Sequence, residues 1–195
     1  MELMELKVPG KTIFCKKLTE YLNNNGQKAI QVTIDGYHNS KEIRYKQGRD
    51  SAKGYYEDAY NETAFIENIL KSSQKEQPFY IEQIHDLETD EQINPIRKEL
   101  TDKHIILTDG AYIFKKIYRE HWDLKIYLQT DFNTALKRGI QRDLVLLGGL
   151  KSTKEKYDNR YHKASKMYIE ENKPTEFADI IIDNTEFENL KLLKY

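Results

Sequence analysis

Short apolar runs alternate along this chain with stretches of helical periodicity, and that alternation restricts the available architectures more than any other feature. Residues 29–34, 104–108, 124–128 and 179–183 have the length and aliphatic content of buried strands. Between them, residues 11–25 carry Phe14, Leu18, Tyr21 and Leu22 on one helical stripe, closed by Asn25 and Gly26. Phe65, Ile66, Ile69 and Leu70 mark a second helix. Leu136, Ile140 and Leu147 mark a third over about 133–147, stopped by Gly148 and Gly149, and a fourth spans roughly 153–171. A further short strand is expected near 79–84. This order predicts an α/β fold with a parallel sheet covered by helices on both faces. In 195 residues without a repeat or a Pro/Gly-rich linker, it predicts one domain, 1–195, with one active site.

Charge narrows the partner. Lys and Arg total 31 against 32 Asp and Glu, so no net field draws the chain to nucleic acid or a membrane surface, and a small-molecule substrate is expected. Self-association into a homo-oligomer is left open. No apolar run approaches the ~18 residues of a membrane span, and Glu2, Glu5 and Lys7 interrupt any signal-like segment. The single cysteine, Cys15, cannot form an internal disulfide and reads as packing, which fits a cytoplasmic protein. Asn61 reads as the cap of the following helix. The five histidines show no compact zinc spacing.

Four constellations carry chemistry. Gly10-Lys11-Thr12 opens the first helix, where backbone N–H groups, an ammonium and a hydroxyl can face nucleotide phosphates and magnesium. Such a triplet arises by chance roughly 0.1 times in a chain this long, so it needs support. Asp35 and Asp109 each end an apolar strand and precede glycine, which places a carboxylate where parallel sheets bind ligands, although Asp-Gly is also ordinary turn chemistry. Arg138 and Arg142 lie four apart on one helix, able to converge on phosphates or to stand on a solvated face. The polar segment 43–60, rich in Arg, Gly and Tyr, reads as a substrate loop.

Together, Gly10-Lys-Thr12, Asp35-Gly-Tyr-His38, Arg44-Tyr-Lys-Gln-Gly-Arg-Asp-Ser51, Thr108-Asp-Gly110, Lys137-Arg-Gly-Ile-Gln-Arg-Asp143 and Ala178-Asp-Ile-Ile-Ile-Asp-Asn-Thr185 resemble the uridine kinase-like P-loop family over residues 8–186. The resemblance implies a three-layer P-loop NTPase-type sheet with a short helical lid over about 138–165. It implies ATP and Mg²⁺ as cofactors. Gly10, Lys11, Thr12 and Asn184 would hold the nucleotide, and Thr12 and Asp109 the metal. Asp35 would be the base, with Lys11, Arg138 and Arg142 stabilising transfer. Tyr37, His38, Arg44, Arg49 and Asp86 would meet the acceptor.

The family pattern also asks for a buried strand and a glycine ahead of Gly10. Only Met1-Glu-Leu-Met4 precedes Glu5, which stands at the glycine's position, so the first strand and first loop glycine are expected to be missing. Either translation begins upstream of Met1 or the chain is a decayed member. The activity implied is phosphorylation of a nucleoside such as uridine. The alternatives are kinases of other small metabolites, of phosphoribulokinase or pantothenate kinase type, and a non-catalytic binding module.

Overall fold

The computed structural model describes residues 2–4, 10–101, 103–186 and 189–195. In chain order its elements are β1 (Glu2–Met4), α1 (Lys11–Asn24), β2 (Lys28–Thr33), α2 (Lys41–Arg44), α3 (Ala52–Asp58), α4 (Glu62–Phe65), β3 (Phe79–Ile81), β4 (Arg97–Glu99), β5 (His104–Gly110), β6 (Lys125–Gln129), α5 (Phe132–Asp143), α6 (Leu150–Lys156), α7 (His162–Asn172), α8 (Pro174–Phe177), β7 (Ile180–Asp183) and β8 (Lys191–Lys194). Six strands form one sheet in the order β2-β5-β1-β6-β7-β8, parallel except for β8.

Side-chain alternation along the strands divides the core between the two faces of this sheet. Ala29, Leu107, Ile126, Leu128, Ile180 and Ile182 pack with Cys15, Phe14, Leu18 and Leu22 of α1 on one face. Val32, Ile106, Tyr127 and Ile181 point the other way, into a larger cluster with Tyr55, Phe65, Phe114, Tyr118, Tyr161 and Tyr168. Each fully buried aliphatic or aromatic side chain contributes about 1.5–3 kcal/mol. These two apolar faces hold the helices against the sheet and fix which strand ends meet the start of α1.

The first strand is a correction. It was expected to be missing, yet Glu2–Met4 lies between β5 and β6, with Glu2 opposite both Thr108 and Lys125. Three residues suffice because an inner strand has ladder partners on both sides, so it needs no long apolar run of its own to be held. Glu5, read as replacing a loop glycine, lies outside the described residues.

Other expectations shift in detail. The strand near 79–84 is β3, paired with β4 in a separate antiparallel hairpin instead of joining the main sheet. The third helix ends at Asp143, and Gly148 and Gly149 follow with φ of 79° and 104°, a backbone turn that favours glycine. The fourth helix is α6 and α7 joined through a π-helical turn, Tyr157–Tyr161. Asn61 caps α4 by accepting the Ala64 N–H at 3.0 Å. Among the described residues no helix is long and apolar enough to cross a membrane.

Candidate active site

Strand register assembles the site. Thr33 of β2 and Leu3 of β1 both lie opposite Asp109 of β5, so these strands finish side by side where α1 begins. Thr12, in the first turn of α1, donates its hydroxyl to Asp109 Oδ2 at 2.7 Å, and Gln31 Nε2 donates to Oδ1 at 2.8 Å. Asp109 is 1% exposed. Burial raises its pKa above the usual carboxylate value, and the hydrogen bonds from Gln31 and Thr12 and the charge of Lys11 only partly offset that. A desolvated carboxylate beside a hydroxyl is an oxygen donor set suited to a hard divalent cation, whose charge would relieve the burial penalty. The residues therefore fit the metal implied by the sequence.

Asp35 follows β2 in a short 3₁₀ turn, Ile34–Tyr37. The turn is held by the Asp35 N–H donating to Thr33 Oγ1 at 3.2 Å and by His38 Nδ1, 2.7 Å from the Asp35 carbonyl oxygen. Tyr60 donates its phenol to Asp35 Oδ1 at 3.0 Å. Burial and then the Asp35 charge push the Tyr60 phenol well above its ordinary pKa, so it remains a donor. Asp35 is exposed, and its Oδ2 takes no hydrogen bond from the described residues, the condition a proton acceptor needs.

Two cavities meet at these side chains. One, of about 210 Å³, is lined by Gly10, Lys11, Asp109, Ala111 and Arg142 together with Thr12, Asp35 and Tyr60. The other, of about 560 Å³, runs from Thr12 and Asp35 past Gln31 and Thr33 to Glu82, His85, Asp86 and Glu88. Thr12 and Asp35 line both. The first chamber thus sets Lys11 and Arg142 beside Asp35 and Asp109, whereas the second is lined by carboxylates with no lysine or arginine.

Arg142 reaches the first chamber from α5. Its Nε and Nη2 donate to Asp143 Oδ1 and Oδ2 at 2.7 and 2.9 Å, and Nη2 also lies 3.1 Å from the Tyr157 hydroxyl, which itself donates to Asp143 Oδ2 at 2.7 Å. The carboxylate raises the guanidinium's pKa further. Gly139 makes this arrangement possible, because a Cβ there would stand 2.2 Å from Tyr157 Cζ.

A model of the phosphoribulokinase / uridine kinase family matches residues 8–190. The chain belongs to that family. Among curated proteins it is 26% identical to a uridine kinase from Brevibacillus brevis over 179 residues, covering 89% of this chain and 78% of the relative. Its fold is similar to the solved structure of a possible uridine kinase from Bacillus stearothermophilus, with a TM-score of 0.71, 22% identity, and 92% and 85% of the two chains covered. It is also similar to phosphoribulokinase from Rhodobacter spheroides, with a TM-score of 0.60, 13% identity, and 94% and 69% covered. The chain is accordingly a kinase of the P-loop α/β type.

Within this kinase, not every residue singled out from sequence reaches the two chambers. Tyr37 is fully buried against Phe65 and donates to the Ile81 carbonyl at 2.5 Å, so it anchors the β3 hairpin. His38 is buried against Tyr60 and supports the Asp35 turn. Arg44 is buried, donating to the Asn39 carbonyl at 2.7 Å and to Asp90 at 3.0 Å. Arg49 lies over the Tyr45 ring at 5.7 Å. Arg138 donates to the Thr185 carbonyl at 3.0 Å, and Asn184 is buried beside Thr130. Both therefore sit at the end of β7, and neither lines the two chambers. Asp86 does line the second chamber, with Oδ1 accepting the N–H groups of Glu88 and Thr89.

Sequence reasoning missed Gln31, Tyr60 and His85. Gln31 carries a usable signal, a polar side chain inside an apolar strand two residues before a second polar one, Thr33. His85 is 6% exposed, and neither ring nitrogen makes a hydrogen bond, although Nε2 stands 3.3 Å from Asp90 Oδ1. Tyr60 has no signal of its own in a tyrosine-rich segment.

Proposed function

We propose that this kinase transfers the γ-phosphoryl group of ATP to a hydroxyl of a nucleoside such as uridine. The observation that carries this reading is the shared wall formed by Thr12 and Asp35 between a chamber that holds Lys11 and Arg142 and one lined by carboxylates without a lysine or arginine. Donor phosphates suit the first, where Lys11 and Arg142 supply positive charge. An acceptor in the second would present its hydroxyl to Asp35 Oδ2.

In this mechanism the acceptor oxygen forms a bond to the γ-phosphorus as the bond from that phosphorus to the ADP oxygen breaks, and the hydroxyl proton passes to Asp35 Oδ2. Tyr60 fixes the carboxylate by its other oxygen, so the free oxygen faces the hydroxyl. Lys11 holds the β- and γ-phosphates, and Arg142 balances charge as it moves toward the leaving group. Mg²⁺, when held by Thr12 and Asp109, would supply electrostatic stabilisation of the phosphoryl oxygens.

The acceptor chamber favours a neutral molecule. Its charged lining residues are Asp35, Glu82, Asp86 and Glu88, with no lysine or arginine among the lining side chains. A phosphorylated or carboxylated acceptor would meet like charge there, which argues against an acceptor of the phosphoribulokinase or pantothenate kinase kind. His85, buried with open ring nitrogens, supports recognition of a polar base edge.

The deciding experiment measures ATP consumption with Mg²⁺ against a panel of nucleosides, sugar phosphates and pantothenate. Turnover with a nucleoside and none with the anionic acceptors is expected. Turnover only with an anionic acceptor would overturn the nucleoside reading, and no turnover with any of them would leave a binding module.

A further inference from the structure

A third cavity, of about 460 Å³, opens between the 44–51 segment and the α6 end of the lid and shares no lining residue with the two catalytic chambers. Its walls are Asp50, Ser152, Glu155, Lys156, Asn159 and Arg160. Arg160 is 5% exposed, and its Nε has no hydrogen-bond partner. No carboxylate lies within ion-pair distance of it among the described residues. A buried guanidinium with an unfilled donor is costly, because the desolvated N–H has lost its water without gaining an acceptor.

The aromatic side chains around Arg160 do not fill that donor. Tyr45, Tyr55 and Tyr161 lie 5.3, 4.9 and 5.8 Å from its Cζ. Cation–π contacts of this kind act on the faces of the guanidinium, whereas Nε–H lies in its plane and calls for an acceptor. Positive charge is crowded here as well. Lys156 has its pKa lowered by burial and then by the charge of Arg160, and Arg49 shares the Tyr45 ring with Arg160. Burial would raise the Tyr45 phenol, but the charge of Arg44, the charge of and a side-chain hydrogen bond with Arg160, and the charge of Arg49 outweigh it and hold the phenol below its ordinary value, while Arg160 Nε stays without a partner. Asp50 and Glu155 are exposed and can turn to water.

We propose that this cavity binds an anionic group, a phosphate or a carboxylate, on Arg160 with help from Lys156. An oxyanion is the ligand whose geometry matches the in-plane donors of a guanidinium and whose charge answers a buried cation. The site stands on this geometry alone and does not depend on which acceptor the kinase uses. Because α6 and α7 meet at Tyr157–Tyr161, an anion here would tie the lid to the 44–51 segment.

Titration with inorganic phosphate, following the Arg160 Nε–H resonance by NMR at constant ionic strength, tests the proposal. Lys11→Ala is the background, so that phosphate held in the donor chamber does not contribute. A saturable shift is expected, and Lys156→Gln and Arg160→Gln should each weaken phosphate binding, the latter about 10-fold or more, read by ³¹P line broadening. Uridine monophosphate is the second ligand. Tighter, Arg160-dependent binding of the nucleotide would assign the anion to a nucleotide, and equal binding would assign it to a free anion. An Nε–H resonance that does not move, with phosphate binding indifferent to Lys156→Gln, overturns the proposal even if Arg160→Gln proves unstable.

Discussion

Tyr60 donates a hydrogen bond to one carboxylate oxygen of Asp35 at 3.0 Å, the other oxygen takes none from the described residues, and Asp35 lines both chambers. In the proposed mechanism that relationship separates two duties, orientation by the tyrosine and proton acceptance by the carboxylate. Asp35→Asn should lower turnover by about 10²-fold or more with ATP binding almost unchanged, since asparagine keeps the size but cannot take the proton. Tyr60→Phe removes only the anchor and should give a smaller loss. Steady-state kinetics with a nucleotide-binding titration on each variant check this, and an Asp35→Asn enzyme with near-normal turnover would return Asp35 to a turn-forming role.

Asp109 links stability to pH in the direction opposite to a salt-bridged carboxylate. Its pKa is raised by burial in the folded protein, so its contribution is fully present below the unfolded-state pKa and is lost as pH rises through the folded-state pKa. At neutral pH the charged form therefore works against folding in the metal-free protein. Asp109→Asn should raise the metal-free melting temperature at pH 7, with the gain shrinking as pH falls toward 4. The same variant should lose most of the stabilisation that Mg²⁺ adds to ATP binding, an effect of about 2.7 kcal/mol at a hundredfold excess of ligand over its dissociation constant in the intact protein. Melting curves at several pH values, with and without Mg-ATP, read both effects.

The parts of this architecture that sequence displays are those encoded by local periodicity. β2, β5, β6 and β7 announce themselves through runs such as Ile105-Ile-Leu107 and Ile180-Ile-Ile182, and α1 through its Phe14-Leu18-Leu22 stripe. β1 was hidden because its support comes from neighbours on both sides, and β4 because Arg97-Lys-Glu99 is wholly exposed and has no apolar pattern to show. Asp35, Asp109, Lys11 and Thr12 were legible from their positions at strand ends and the first helix turn. The destinations of Tyr37 and Arg44 were not, since a buried tyrosine hydroxyl and a buried arginine are assigned only by tertiary partners, Ile81 and Asp90.

Gly139 is required by the Tyr157 ring. A Cβ there would stand 2.2 to 2.4 Å from the Tyr157 ring carbons and hydroxyl, closer than any relaxed contact. Gly139→Ala should therefore cost about 1–3 kcal/mol and displace the Tyr157–Tyr161 turn, even though alanine is the better helix former. Tyr157→Phe keeps the ring but removes the hydroxyl that donates to Asp143, so it should lower turnover more than stability. Chemical denaturation alongside kinetics distinguishes the two, and an alanine variant as stable as the parent would show that Tyr157 does not pack against Gly139 in solution.

Arg138 and Arg142, four residues apart on α5, should give different results when replaced. Arg142 lines the smaller chamber and is oriented by Asp143 and Tyr157, and in the proposed mechanism its charge stands where negative charge grows on the leaving group. Arg142→Ala should reduce turnover by about 10²-fold, with a much smaller rise in the KM for ATP. Arg138 points instead toward the end of β7, where it donates to the Thr185 carbonyl. Arg138→Ala should leave turnover within a few-fold of the parent and lower stability by about 1 kcal/mol, the scale of a lost hydrogen bond from a charged donor in a partly exposed site. Arg142→Lys adds a control, because a lysine keeps the charge but cannot make the two-point contact with Asp143, and it should recover only part of the lost rate. If Arg138→Ala and Arg142→Ala proved equally damaging to turnover, both guanidinium groups would have to reach the phosphates in the closed enzyme. Arg138 would then have to leave Thr185 during each catalytic cycle.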